Sequence, residues 1–432
     1  MIRLAVALVL LEVTMSTLAA PAALDRRIDD AAAKVETAVI ATRRDIHEHP
    51  ELGNREVRTA KLVADRLRSL GIDVQEKVAH TGVIGILKGG KPGKVVALRA
   101  DMDALPVSEQ VDLPFASKVR TQYNGQDVGV MHACGHDAHV AILLGVAEVL
   151  AGVRQDLAGT VKFIFQPAEE GAPQGEEGGA ELMVKEGALE NPKVDAIFGL
   201  HVTSRFAVGE LAYRPEGMMA AVDSFKIVVH GKQTHGAYPW LGIDPIVVAS
   251  QIVLGLQTIA SRQVDSTVAP VIVTVGAIHG GVRNNIIPDE VEMIGTLRSL
   301  DAEMREDIQR RVKHTAEAIA GAAGATASVT IERGYPITYN NPALTERAVP
   351  TLRRVAGAEH VRLVNPVLGA EDFSFFQQKV PGLFFWVGTR PANQTPEEAA
   401  SNHSPKFYID ESGLGLGVRA LAHATVDYLN PK

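Results

Sequence analysis

The stretch M-H-A-C-G-H-D-A-H-V-A, residues 131–141, gathers three histidines, an aspartate and the only cysteine of the 432-residue chain. A thiolate, imidazoles and carboxylates at close range form a donor set for a borderline divalent ion such as Zn²⁺, Mn²⁺, Co²⁺ or Ni²⁺. Metal would account for the solitary thiol, because coordination holds it as thiolate. Without metal, Cys134 is a small buried hydrophobe or one half of an intermolecular bridge, since it has no internal partner. Cys134 and His136 are two residues apart, which puts both on one side of an extended segment but not on one helix face, so they chelate together only from a loop. His132, His136 and His139 share helical spacing and make a rival triad. Gly135, and Asp137 as a cap for the helix that follows, argue against helix this early; His132 and His139 then pack or support the ligands.

Further ligand-type residues follow apolar runs. V-V-A-L-R-A (95–100) leads into Asp101-Met-Asp103, V-K-F-I-F-Q (161–166) into Glu169-Glu170, and A-I-F-G-L (196–200) into His201, while the late loop S-N-H-S-P (401–405) holds His403. Each residue has an ordinary explanation alone, for paired acids are usually solvated and a single histidine is usually just hydrogen-bonded. Their convergence at the ends of strands is what points to a site, because loops at the carboxyl edge of an α/β sheet collect functional groups.

The elements that must position these residues are legible in outline. Continuous apolar runs of this length suit strands buried on both faces. Helical spacing over Arg55–Leu70 stops at Gly71, and helices over Ala138–Leu150 and Ala180–Glu186 separate the strands, which makes this half α/β. From about residue 207 the order becomes strand (224–231), helix (244–261), strands (270–278 and 291–300), helix (302–323) and strand (327–333). That is the complete ferredoxin-like β-α-β-β-α-β unit. The α/β pattern then resumes, with helices near 342–357 and 371–379, the strand 383–388 and a closing helix from Ser412. The expected fold is a discontinuous α/β domain, residues 25–206 and 335–432, interrupted by an inserted second domain, residues 207–334.

Composition sets the surroundings. The formal net charge is −8 with no basic tract, which gives no argument for nucleic acid or an anionic membrane surface. Arg3 followed by L-A-V-A-L-V-L-L and a small-residue run reads as a signal peptide cleaved after Ala22, too short to span a bilayer. The expectation is an exported protein with no stable membrane association after cleavage.

The runs R-R-D-I-H-E-H-P-E-L-G (43–53), A-L-R-A-D-M-D-A-L-P (97–106), M-H-A-C-G-H-D (131–137), F-Q-P-A-E-E-G (165–171), G-L-H (199–201), G-A-E-D-F (369–373) and N-H-S-P (402–405) resemble, in order and over nearly the whole chain, the hippurate hydrolases and N-acyl-amino-acid amidohydrolases, including the auxin-conjugate hydrolases. The resemblance implies two divalent ions per subunit, held by Cys134, His136, Glu170, His201 and His403, with Glu169 as general base. It implies that the interrupted α/β domain is catalytic and that the insert is a lid and dimerisation domain, in a homodimer in which His235 reaches the neighbouring active site, with substrate contacts from Asn285 and Arg298. Related peptidases begin their metal set with His-x-Asp, where this chain has Asp101-Met-Asp103; these two aspartates are expected behind the ligands, Asp103 orienting a ligand imidazole. The implied reaction is hydrolysis of an N-acyl amino acid to a carboxylic acid and a free amino acid. The alternatives are a metallo-dipeptidase or aminopeptidase, and a metal-binding protein without turnover. The adjacent pair Glu169-Glu170 argues against the last, because a closed structural site has no use for a spare base.

Overall fold

The computed structural model describes the backbone of residues 2–430 and the side chains of residues 23–430; the expected signal segment, residues 1–22, lies outside the residues whose side chains are described. The chain forms two compact units. One comprises Met1–Pro215, Asn340–Val364 and Phe375–Lys432, the other Glu216–Tyr339 and Asn365–Ser374.

In the first unit the helices α1 (Ile2–Glu48) and α2 (Val57–Ser69) precede strands β1 (Asp73–Val78), β2 (Gly82–Lys88) and β3 (Lys91–Asp101). A hairpin of β4 (Arg120–Tyr123) and β5 (Gln126–Gly129) leads to α3 (His136–Gly152), β6 (Ala158–Gln166), α4 (Gly179–Lys185), β7 (Ala196–Ala207) and β8 (Leu211–Tyr213). The large sheet of this unit has β6, β3 and β7 as neighbours and all parallel, with β2 and β1 added antiparallel beyond β6. Because β6 and β7 leave β3 in opposite directions, the carboxyl ends of these strands open the crevice in which α/β sheets bind ligands. α3 packs on α1 and on β3, and nearly all its side chains from His136 to Leu150 are buried, as a helix that is apolar all round must be.

The second unit contains β9 (Glu216–Met219), β10 (Ala221–His230), β11 (Thr234–His235), α5 (Pro245–Thr258), β12 (Val271–Gly280), β13 (Ile286–Ile287), β14 (Glu290–Ser299), α6 (Ala302–Ala322) and β15 (Thr326–Arg333). Its antiparallel sheet has the order β12-β14-β10-β15, and Phe225, Ile227 and Val229 of β10 alternate inward beneath α5 and α6. This is the β-α-β-β-α-β order expected from the sequence. The insert begins later than residue 207, however. β7 continues to Ala207 and β8 pairs with β18 (Gly382–Arg390) and with β17 (Val361–Leu363), which keeps the chain in the large sheet as far as Pro215. A later segment, Asn365–Ser374, also joins the second unit, where Ala220 N donates to the carbonyls of Val367 and Gly369. The remaining elements are β16 (Thr338–Asn340), α7 (Pro342–Ala356), α8 (Ser374–Gln377) and α9 (Leu414–Leu429). α8 is one turn, where the sequence suggested a helix over 371–379.

Candidate metal centre

Strand register levels the first donors. Arg99 pairs with Gly199, and Asp101 with Gln166, so Asp101, the end of β6 and His201 stand at one height across three adjoining strands. His201 is therefore mid-strand rather than at a strand end. Glu169 and Glu170 occupy the turn after β6, and Cys134 lies in the bend before α3. Gly135, at φ 92°, turns the chain from Cys134 into His136, the first residue of α3. A Cβ at position 135 would lie 2.4 Å from Val202 Cγ2, so both conformation and space require glycine there. The expected cap is corrected: Asp137 is buried within the first turn, where it accepts from Arg43 Nε at 2.7 Å and pairs with His47 Nδ1 at 2.8 Å. The loop carrying His403 is tied to the same place, since His403 N donates to Ala133 O and Asn402 Nδ2 to Cys134 O.

Five donor groups result among the described residues; His136 with Glu169 and Glu170, Asp101 with His136 and His139, and Asp101 with Glu169 and Glu371 are three of them, and Cys134 belongs to the other two. Cys134, His136 and His201 form one and Cys134, Glu170 and His403 the other, with the ligand atoms of each within 4.8 Å of one another. Cys134 Sγ is 3.4 Å from His201 Nε2 and 3.2 Å from His403 Nε2. Donor atoms arranged tetrahedrally about one zinc-sized ion lie about 3.3–3.7 Å apart.

Hydrogen bonding shows which ring nitrogens are available. His136 Nδ1 faces the Asp103 carbonyl at 2.8 Å, and His201 Nδ1 faces the Val202 carbonyl at 2.7 Å. A carbonyl only accepts, so each Nδ1 carries the proton of the neutral ring and each Nε2 presents a lone pair. His136 Nε2 is buried and makes no hydrogen bond among the described residues. Glu170 Oε1 has only His403 Nε2, at 2.9 Å, as its partner among the described residues. A buried polar atom left as His136 Nε2 is calls for a ligand. His139 is different: Val202 N donates to its Nε2 at 2.8 Å and its Nδ1 faces Asp101, so both nitrogens are taken. His132 is buried outside both groups, and burial pushes its pKa down to about 3. The helical triad of histidines is thus not a metal set.

Electrostatics agree with the donor set. Burial, with the Glu170 carboxylate, pushes the Cys134 thiol up, so a cation is what would hold it as thiolate. Contacts with Cys134 and Glu170 push His403 up to about 10, and a bound divalent ion would take the place of that proton. These residues fit a pair of borderline divalent ions.

Behind the donors, Asp103 does two things. Its carbonyl orients His136, and its carboxylate accepts from Glu169 N at 3.0 Å and Glu170 N at 2.9 Å, fixing the turn that carries both acids. Asp101 accepts from Arg99 Nη1 and faces His139, so it acts on His201 through His139 and the Val202 amide. Burial opposes its ionisation, but Arg99, His136 and His139 hold its carboxyl well below the usual range.

Glu56 has no counterpart among the residues singled out from sequence. It is fully buried, accepts from Ala168 N at 2.9 Å and from Thr81 Oγ1 at 2.5 Å, and so pins the residue before Glu169 in its left-handed conformation, φ 51°. Its only sequence signal is its place at the end of the H-E-H-P-E-L-G-N-R-E run. Burial and the nearby Asp103 carboxylate push it up to about 8 from 4.5. The folded protein therefore holds a proton that the unfolded chain releases above pH 4.5, and Glu56 makes stability fall as pH rises from about 4.5 through 8, by at most about 1.4 kcal/mol per pH unit. In Glu56→Gln, which cannot titrate, the unfolding temperature of the metal-stripped protein should decline less over this window; parallel curves for variant and wild type would refute the assignment.

His235, Asn285 and Arg298 belong to the second unit. His235 and Asn285 meet there: β11 pairs with β13, and Gly236 N donates to Asn285 O at 2.9 Å. Both side chains are exposed. Arg298 is apart from them on β14, half-buried, and donates to Leu368 O at 3.4 Å. Asp301, its ordinary ion-pair candidate, instead caps α6 by accepting from Met304 N. Burial lowers the pKa of Arg298.

An α/β sheet with thiolate, imidazole and carboxylate donors at its carboxyl edge defines a class, the metal-dependent hydrolases of the peptidase type. A family model described as "Peptidase family M20/M25/M40" matches residues 97–427, and the chain belongs to that family. It is 47% identical over 393 residues to "Thermostable carboxypeptidase 2" of Saccharolobus solfataricus, covering 90% of this chain and 95% of the relative. It is 39% identical over 391 residues to "N-acetylcysteine deacetylase" of Bacillus subtilis, covering 90% and 96%. Among solved structures it is similar to a dinuclear metal binding peptidase of the M20 family from Bacillus subtilis, with 36% identity, a TM-score of 0.77 and coverage of 93% of this chain and 99% of the other.

Proposed function

We propose that the protein hydrolyses the amide bond of N-acyl amino acids, with one divalent ion held by Cys134, His136 and His201 and a second by Cys134, Glu170 and His403. The observation that carries this reading is Glu169: a buried carboxylate next to the two groups that share Cys134, on a residue whose main-chain N–H is held by Asp103. The bound ions would polarise the amide carbonyl and lower the pKa of water from 15.7 towards about 7. Glu169 takes the proton of the attacking water and returns it to the leaving nitrogen, which departs poorly unless protonated. His235, reaching from a second subunit, donates to the developing oxyanion. Asn285 contacts the substrate beside it. The test is a panel of N-acyl amino acids and free-amine dipeptides given to metal-loaded protein. The N-acyl compounds should be turned over faster; preference for a free amino terminus would favour the aminopeptidase reading, and binding without turnover of either a non-enzyme.

The carboxypeptidase relative supports the same polarity, because a peptide cut before its last residue is also an acylated amino acid with a free carboxylate. Arg298 is the residue proposed to bind that carboxylate, since no acid pairs with it among the described residues and a guanidinium grips a carboxylate with two parallel hydrogen bonds. Arg298→Lys should lower kcat/KM for N-acyl amino acids by about 10-fold or more, and much less for the matching amino-acid amides. Equal losses on both would place Arg298 in the support of the sheet.

A homodimer is proposed from the second unit. β12 ends its sheet with Ile272 and Ile278 exposed, and α5 exposes Val247 and Leu254, an edge and an apolar patch that a two-fold partner would cover. Sedimentation should give the mass of two chains, and a fully active monomer would refute it.

A further inference from the structure

The loop that carries His235 in the second unit is ordered far more closely than a surface loop requires. Its ends are closed by Lys232 and Ile243, each donating its N–H to the other's carbonyl, at 2.9 and 3.1 Å. Within it Tyr238 N donates to His235 O at 2.8 Å, and Leu241 N to Tyr238 O at 3.1 Å across the 3₁₀ turn Pro239–Leu241. Two glycines permit the close approaches: a Cβ at position 236 would lie 3.2 Å from Asn285 C, and one at 242 would lie 2.4 Å from Lys232 O. Every residue from His235 to Leu241 is exposed, so burial of an apolar core does not account for this order.

The imidazole itself is held in two ways. Ala237 N donates to His235 Nδ1 at 3.0 Å. A backbone N–H only donates, so Nδ1 supplies the lone pair and the neutral ring carries its proton on Nε2. The Tyr238 ring lies beside the imidazole, with centroids 5.4 Å apart and planes tilted by 44°, and Trp240 packs edge-on against Tyr238 at 5.7 Å. An exposed side chain without such contacts changes rotamer on the picosecond to nanosecond scale. Here one ring nitrogen is fixed as an acceptor within the loop, and the other is left to donate outward.

We propose that Tyr238 and the Ala237 N–H are the positioning elements of His235, presetting its Nε2–H as a hydrogen-bond donor to the developing oxyanion and leaving proton transfer to Glu169. The proposal rests on the reaction, and on the role of His235, proposed above. The test is a double-mutant cycle on metal-loaded full-length protein with an N-acyl amino acid as substrate. Tyr238→Ala should lower kcat by about 3- to 10-fold, the worth of one aromatic pair, with KM, metal content and sedimentation mass unchanged. Tyr238→Phe keeps the ring and should restore kcat. In a His235→Ala background, where there is no imidazole to hold, Tyr238→Ala should change kcat by less than about twofold. His235→Gln, whose amide N–H lies as far from the backbone as Nε2, should exceed His235→Asn in kcat by about 10-fold or more. Equal losses from Tyr238→Ala in both backgrounds, or a change of sedimentation mass in that variant, would make Tyr238 a fold or interface residue and overturn the positioning, with the reaction standing. Asparagine at position 235 matching glutamine would overturn the assignment of Nε2 as donor. An unchanged kcat in His235→Ala overturns the role of His235 and the positioning with it. No turnover of any N-acyl amino acid overturns the reaction as well.

Discussion

Glu169→Gln is expected to lower kcat for N-acyl amino acids by about 10²–10⁴ while metal content stays at the wild-type level. Glutamine keeps the size of the side chain and leaves the clamp intact, because Asp103 holds residue 169 by its main-chain N–H and not by its carboxylate. What is lost is the site that accepts a proton from water and delivers it to the leaving nitrogen, and neither half of that transfer is open to an amide. A loss of metal in this variant would move Glu169 into the donor set, and near-normal turnover with metal bound would remove it from catalysis.

Cys134→Ser is expected to act on both ions together. Cys134 is the donor that the two groups share, so its replacement weakens each, whereas loss of His201 or His403 touches one group. Mutating residues that merely orient a ligand costs about 10–100-fold in metal affinity, and removal of a shared ligand should exceed that, because a serine hydroxyl is a poor donor at neutral pH. Elemental analysis after dialysis should show both ions depleted and activity lost in proportion. Full occupancy in the variant would exclude Cys134 as a ligand; loss of a single ion would assign it to one group alone.

How much of this was legible in sequence follows from the range of the interactions involved. The β-α-β-β-α-β insert was readable because its strands alternate and its helices have clear ends, as at Asp301, whose side chain caps α6. The five proposed donors were readable because their types are unusual together, and the structure brings all five into the first unit. The insert boundary was not, since β8 is three residues long and is defined by pairing with strands some 150 positions later. Asp137 looked like a cap because caps are local, but Arg43 and His47, some 90 residues earlier, claim its carboxylate. Glu56 reads as an ordinary surface acid before α2; only the fold carries Ala168 and Thr81 to it. The division of labour within Asp103, carbonyl to His136 and carboxylate to the Glu169–Glu170 turn, is likewise set by tertiary contact.

The most direct test of the central claim is a titration of metal-stripped protein with a single divalent ion, following hydrolysis of an N-acyl amino acid against ions bound per chain. No turnover is expected without metal, and full turnover only as the second ion binds, through the group of Cys134, Glu170 and His403 or that of Cys134, His136 and His201. Turnover by the stripped protein, or none at two ions per chain across the panel of substrates, would contradict it.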